Sequence, residues 1–145
     1  MSITRQFLLV SCIAISGAAC AGEGTAPDDG NGSTEISFAG DVQPIFTNSC
    51  AFPGGCHAGV PPAAGMNLSA GQAYQNIVNV QSDDVASMDR ITPGEPENSY
   101  LIHKIEGTQA SVGGSGGRMP LSGCCLTDAQ IDTIRAWVEA GADNN

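Results

Sequence analysis

At 145 residues the chain has room for one ordinary domain. Its 15 acidic residues outnumber 5 basic ones, a formal charge of −10, and such a chain lacks the basic face that nucleic-acid binding needs. There is no heptad or collagen period, aromatic residues make up only 5%, and glycine (19) and cysteine (6) are plentiful, so a core short of large side chains and the fate of six thiols are the two questions the composition poses.

The N-terminus reads as an export signal. Arg5 precedes an uncharged, mostly apolar stretch, Phe7 to Ala19, which ends in Gly17-Ala18-Ala19 directly before Cys20. That stretch is shorter than the ~20 residues a transmembrane helix needs. Small residues ahead of a cysteine resemble a bacterial lipoprotein signal, which implies cleavage after residue 19 and acylation of Cys20. Gly17 departs from the leucine usual at that place, and plain cleavage between Ala19 and Ala21 is the alternative. Cys12 leaves with the signal either way. The expected location is the periplasm or the outer membrane of a bacterium, with the lipid as the sole membrane attachment. Residues 20–36 are Gly-, Asp-, Glu-, Ser- and Thr-rich and form a flexible acidic tether. The folded domain is expected over residues 37–145.

The periodicity of that domain predicts an all-α fold of about four helices. Asp41 is placed to cap a first helix, Val42 to Asn48, with Pro44 in its first turn, where a missing N–H does no harm. Ser69 is placed to cap a second, Ala70 to Val80, with Tyr74, Ile77 and Val78 on one side. A third spans Asn98 to Glu106, follows the turn Thr92-Pro93-Gly94 and stops at Gly107. The last helix carries the strongest signals: a capping box of Thr127 and Gln130, a hydrophobic staple of Leu126 and Ile131, and apolar Ile131, Ile134, Trp137 and Val138 before Gly141. A Gly- and Ser-rich loop, Thr108 to Gly123, contains Arg118-Met119-Pro120.

The segment richest in chemistry is Cys50-Ala51-Phe52-Pro53-Gly54-Gly55-Cys56-His57. Two cysteines with a histidine directly after the second resemble a c-type haem attachment site. There the thiols add across the two haem vinyl groups to give thioethers, and the adjacent imidazole is the proximal iron ligand. The usual site has two residues between the cysteines; this one has five, so the extra residues must bulge outward. Pro53-Gly54-Gly55 suits a tight bulge, because Pro fixes one angle and Gly admits positive φ. From the motif alone, a Cys50–Cys56 disulfide beside an incidental histidine stays open.

Several further segments, in order, are similar to monohaem cytochrome c domains of exported bacterial proteins: Asp41 to Phe46, Gly65 to Ser69, Ile91 to Leu101, Arg118-Met119-Pro120, and Leu126 to Gly141 with Trp137. The resemblance spans nearly all of Phe38 to Ala142. It implies a cytochrome c-like fold around one covalent haem c held by Cys50 and Cys56, with His57 and Met119 as axial iron ligands and Arg118 as a partner for a haem propionate. A thioether is a soft, neutral donor that favours Fe(II). His103, the only other histidine, is the rival distal ligand; Met66 and Met88 read as core filler. Trp137 is expected to pack the last helix on the first helix or on the haem edge.

The implied function is that of an electron carrier rather than an enzyme. No Ser/His/Asp set, Gly-rich phosphate loop or HExxH is present, and no catalytic residue is assigned. The excess of negative charge predicts a redox partner with a basic docking patch. Two other readings stand beside it. One is a structural zinc module using Cys50, Cys56, His57 and one of Cys124 or Cys125. The other is a haem subunit of a larger oxidoreductase. Cys124 and Cys125 are adjacent, and a vicinal disulfide, a dimer bridge and free thiols are all open to them.

Overall fold

The computed structural model describes residues 35–121 and 126–145. The signal, Cys20 and most of the tether, and the Cys124–Cys125 pair, lie outside the described residues. Those described fold as an all-α domain of four helices with no sheet: α1 (Gln43–Ser49), α2 (Ala73–Ile77), α3 (Tyr100–Glu106) and α4 (Asp128–Glu139). Isolated backbone bridges join Val78 to Ile91, Gln81 to Asp89 and Asp89 to Ser99. No helix among the described residues is long and apolar enough to cross a membrane.

The first helical segment begins earlier than its sequence suggests. A wide π-type turn, Phe38–Val42, leads into α1. Ser37 is its cap, accepting from the Gly40 N–H at 3.1 Å, while the Asp41 carboxylate reaches back to accept from the Ser37 N–H at 2.8 Å. Asp41 thus braces the start of this turn, four residues upstream, rather than capping α1. Pro44 sits in the first turn of α1, as anticipated.

α2 is five residues long, where periodicity predicts Ala70 to Val80. Gly71 takes φ 75° at its start and Asn79 φ 55° just beyond its end. After Ile77 the chain turns extended, and its backbone pairs with Ile91: Ile91 N–H donates to Ile77 O at 3.0 Å and Asn79 N–H to Ile91 O at 2.9 Å. The β-branched Val78 and Val80 cost a helix rotamer freedom, so the long-range pairing outcompetes further helix.

α3 begins at Tyr100 after a 3₁₀ turn, Pro96–Asn98, and ends on Gly107 at φ 85°, the left-handed cap read from the sequence. α4 has the expected capping box, with Thr127 Oγ1 accepting from Gln130 N–H and Gln130 Oε1 accepting from Thr127 N–H. Leu126 and Ile131 are both buried in staple positions.

The core centres on Trp137, Phe46, Phe38 and the apolar faces of α3 and α4. Phe38 packs against Trp137 at a ring separation of 5.1 Å and against Tyr74 at 5.4 Å, while Trp137 Nε1 donates to Asp143 O at 2.9 Å. Trp137 therefore fastens α4 to the turn that precedes α1. Since the cap supplies the N-terminal donors of α4 with partners, Thr127→Ala is expected to cost about 1 kcal/mol as a lower chemical denaturation midpoint at unchanged slope, with Thr127→Ser close to wild type.

Candidate functional site

One side of this core is hollow. A cavity of about 470 Å³ opens between α1, the Cys50–His57 loop, the 63–68 segment, the 82–90 segment, α3 and the Gly-rich loop. Its walls are mostly apolar, with Phe46, Leu68, Leu101 and Ile105 at the core side, and its volume suits a bound cofactor. Phe52 and Leu121 line it and are also exposed, marking its mouth.

The Cys50–His57 loop forms one wall. Cys50 N–H donates to Phe46 O at 2.9 Å, so the loop grows from the last turn of α1. The five intervening residues fold back on themselves: Gly55 N–H donates to Phe52 O at 2.6 Å, with Pro53 second in the turn and Gly54 third at φ 82°. A Cβ on Gly55 would lie 2.8 Å from Phe52 O, so the turn admits no side chain there. His57 N–H then donates to Cys50 O at 3.1 Å, closing the loop and setting Cys50, Cys56 and His57 on the cavity wall together. Cys56 is exposed at the rim; Cys50 is deeper, and burial pushes its thiol up to about 11.

His57 is buried at 8% exposure. Its Nδ1 is 3.2 Å from Met66 O. A carbonyl only accepts, so Nδ1 carries the proton and neutral His57 presents a bare Nε2. Burial, the largest influence, lowers its pKa and favours that neutral form, which is the form a metal takes. Met66 accordingly does more than fill the core: it lines the cavity and its carbonyl orients the imidazole.

Met119 lies on the cavity wall contributed by the Gly-rich loop, with Pro120 and Leu121 beside it. Its N–H donates to Lys104 O at 2.8 Å, hanging the loop from the C-terminal turn of α3. His103 lies elsewhere. It is buried away from the cavity with both ring nitrogens engaged, Nδ1 at 2.8 Å from Thr108 Oγ1 and Nε2 at 3.0 Å from Glu97 O. Arg118, beside Met119 in sequence, is not on the cavity wall; its Nε donates to Ile105 O at 2.6 Å, and its aliphatic stem packs over Gly107. The cations that do reach the cavity are Arg90 and Lys104. Arg90 is buried and donates to Asn76 O, Ala64 O and Asp83 Oδ2 at 2.8, 2.9 and 3.1 Å. Nothing in the local sequence of Arg90 marks it; its place depends on the backbone pairing of Ile91 with Ile77 and Asn79.

Among the described residues no group of three or more His, Cys, Asp and Glu side chains converges on a point that would hold a bare ion. Cys50, Cys56, His57 and Met119 are instead spread over the walls of one apolar space, an arrangement that suits an extended ligand touching each of them. On this donor set, two thiols, an unprotonated imidazole nitrogen and a thioether around a mostly apolar cavity, a haem fits.

The site is thus an apolar, thiol- and imidazole-lined cavity in an all-α domain. No protein-family model and no curated protein matches the sequence. Among solved structures, the chain is similar to Kuenenia stuttgartiensis hydrazine synthase, at 19% identity and a TM-score of 0.46 over 76% of this chain. It spans 16% of that protein's length.

At the cavity edge Asp84 accepts from Tyr100 Oη, from Ser115 N–H at 3.0 Å and from Ser115 Oγ at 2.8 Å. These bonds, the Tyr100 hydroxyl first, hold its carboxyl down at about 2 against an ordinary 3.8, while burial and then the same carboxylate push Tyr100 up to about 12. A depressed carboxyl stabilises the fold fully above its unfolded value and loses that contribution as pH falls through the folded one. Asp84→Asn is therefore expected to lose less stability than wild type between about pH 4 and pH 2, read from thermal melts across that range.

Proposed function

We propose that the chain is an exported electron carrier with one covalently attached haem c in this cavity. The observation that carries the reading is the meeting, in one apolar space, of Cys50, Cys56 and His57 from one loop with Met119 from another, with His57 Nδ1 committed to Met66 O so that Nε2 is left bare. A bound haem supplies reversible one-electron Fe(III)/Fe(II) chemistry. Cys50 and Cys56 would fasten it through thioethers. His57 Nε2 and the Met119 sulfur would be the axial ligands, the soft sulfur favouring the reduced iron. His103, with both nitrogens engaged, is left as a packed core histidine. Arg90 and Lys104, rather than Arg118, are the cations placed to meet the carboxylates of such a group, and Arg118 holds the loop to α3.

The chain's own residues do the rest. Phe46, Leu68, Leu101 and Ile105 keep water from the interior, and exclusion of water raises the potential by disfavouring the more highly charged oxidised form. The export signal and the acylated Cys20 would tether the carrier by lipid at the periplasmic or outer membrane. The acidic surface favours a partner with a basic docking patch, so association with such a partner is expected to slow as salt rises; a rate independent of ionic strength would count against the patch.

A haem stain on a denaturing gel of the exported protein tests the attachment, because only thioether-linked haem survives denaturation. Wild type is expected to stain, and the Cys50→Ala, Cys56→Ala double variant is expected not to. In the loaded protein Met119→Ala is expected to lose the low-spin six-coordinate spectrum and to lower the reduction potential; retention of both would remove Met119 as a ligand. A colourless band from wild type, with zinc bound instead, would favour the metal-module reading.

A further inference from the structure

The loop that carries Met119 is rich in glycine, and nothing in its own sequence makes it rigid. Most of its fastenings run to α3 and to the turn that follows it. Lys104 O accepts from Met119 N–H, Ile105 O from Arg118 Nε, Lys104 Nζ donates to Ser115 O at 3.0 Å, and Gln109 Nε2 donates to Gly116 O at 2.8 Å. Across the cavity mouth lies the 81–90 segment. It is itself well braced: Ser82 Oγ accepts from the N–H groups of Asp84 and Val85, both at 3.2 Å, and Ser82 N–H donates to Met88 O at 2.9 Å. The same segment carries Arg90, whose guanidinium holds the Ala64 and Asn76 carbonyls near the wall of His57. Among the described residues, every hydrogen bond between this segment and the Met119 loop ends on Asp84, through Ser115 N–H and Oγ.

We propose that Asp84 is a positioning residue for the distal ligand: by clamping Ser115 it ties the wall bearing Met119 to the wall that Arg90 braces beside His57, and so sets how firmly the Met119 sulfur is offered to the iron. The inference rests on the reading of Met119 as an iron ligand. Two features beyond the clamp support it. Tyr100, the first residue of α3, also donates to Asp84, so one carboxylate gathers the helix and the loop together. Gly114, directly before Ser115, packs against the hydroxyl end of Tyr100, where an added Cβ would collide with the Tyr100 hydroxyl and Cε2 and would also meet Gln109 O at 2.9 Å. The loop is therefore seated against Tyr100 at the point where Asp84 grips it. Being ionised at neutral pH, Asp84 accepts all three bonds, and bonds to a charged acceptor are the stronger kind.

The test uses the full exported chain with haem attached, in the ferric state, and free imidazole as the competing ligand. Wild type, Asp84→Ala, Asp84→Asn and Ser115→Ala are compared by the loss of the sulfur-to-iron charge-transfer band as imidazole is added. Amide hydrogen exchange is followed at Ser115 and Met119 in the same proteins. Asp84→Ala is expected to bind imidazole about tenfold more tightly than wild type, equal to about 1.4 kcal/mol, with faster exchange at both amides. Asp84→Asn, which keeps one acceptor oxygen, and Ser115→Ala, which keeps the backbone bond, are expected to shift in the same direction by less. Unchanged imidazole affinity in Asp84→Ala and Ser115→Ala overturns the proposal, and does so even if the two amides exchange faster, since that would mark a purely local brace. A wild-type protein without the sulfur-to-iron band, or a Met119→Ala variant that keeps it, removes the ligand reading itself and this inference with it.

Discussion

A polar ring nitrogen set into an apolar wall must find a partner or cost free energy, and the whole site is organised around how His57 meets that demand. The partner of Nδ1 is Met66 O. That carbonyl is held in place by the chain on either side of it: Met66 N–H returns to Ala63 O at 3.1 Å, and Leu68 N–H donates to His57 O at 2.8 Å, so the two segments fasten each other. With Nδ1 satisfied, Nε2 is the one atom of the imidazole with capacity left for a ligand. The same loop closure that brings His57 to the wall, its N–H on Cys50 O, brings the two cysteines with it. Removing the Nδ1 partner would leave a buried donor without an acceptor and free the ring to turn, so the backbone of the 63–68 segment is as much part of the site as the imidazole.

The parts of this arrangement that were legible in the sequence are those whose signals are local. Thr127 and Gln130 lie three residues apart and make the capping box by themselves. Gly107 ends α3 because a left-handed residue is needed at that place. Pro53-Gly54-Gly55 turns the five-residue insert between the cysteines for the same kind of reason. What sequence reading missed depends on pairing between distant segments. α2 is cut short by the pairing of Ile77 and Asn79 with Ile91, which no local pattern announces. The same pairing carries Arg90 to the cavity, while Arg118, the cation nearest Met119 in sequence, donates to Ile105 O. Asp84 was invisible as a site residue because one of its partners, Ser115, stands 31 positions away.

The composition, too, takes on a different meaning once the cavity is seen. Four of the aromatic residues, Phe38, Phe46, Tyr74 and Trp137, meet around the turn before α1. Phe46 also walls the cavity with Leu68, Leu101 and Ile105, and Phe52 and Tyr100 line it too, yet these side chains leave it hollow. A large flat apolar ligand seated there would cover this lining and add dispersion contacts to it. Stability and cofactor retention would then be one quantity.

The same economy governs charge. Of the five basic residues Arg5 lies outside the described part, and each of the other four is occupied within the fold. Arg90 serves carbonyls and Asp83, Lys104 serves Ser115 O, Arg118 serves Ile105 O, and Arg135 bridges Glu97 and Glu106. Two of these cations also face the cavity, where Asp83 and Asp84 line it beside them, so the formal charges around the site balance. The excess of negative charge is therefore a property of the exterior more than of the site, and it is the exterior that an approaching partner meets first. On the function proposed above, the field would steer a partner from a distance, set by the ionic strength, while at the site Arg90 and Lys104 would meet the haem carboxylates at close range. On the haem reading proposed above, separating the two roles in this way would let an acidic protein hold an anionic group in its interior.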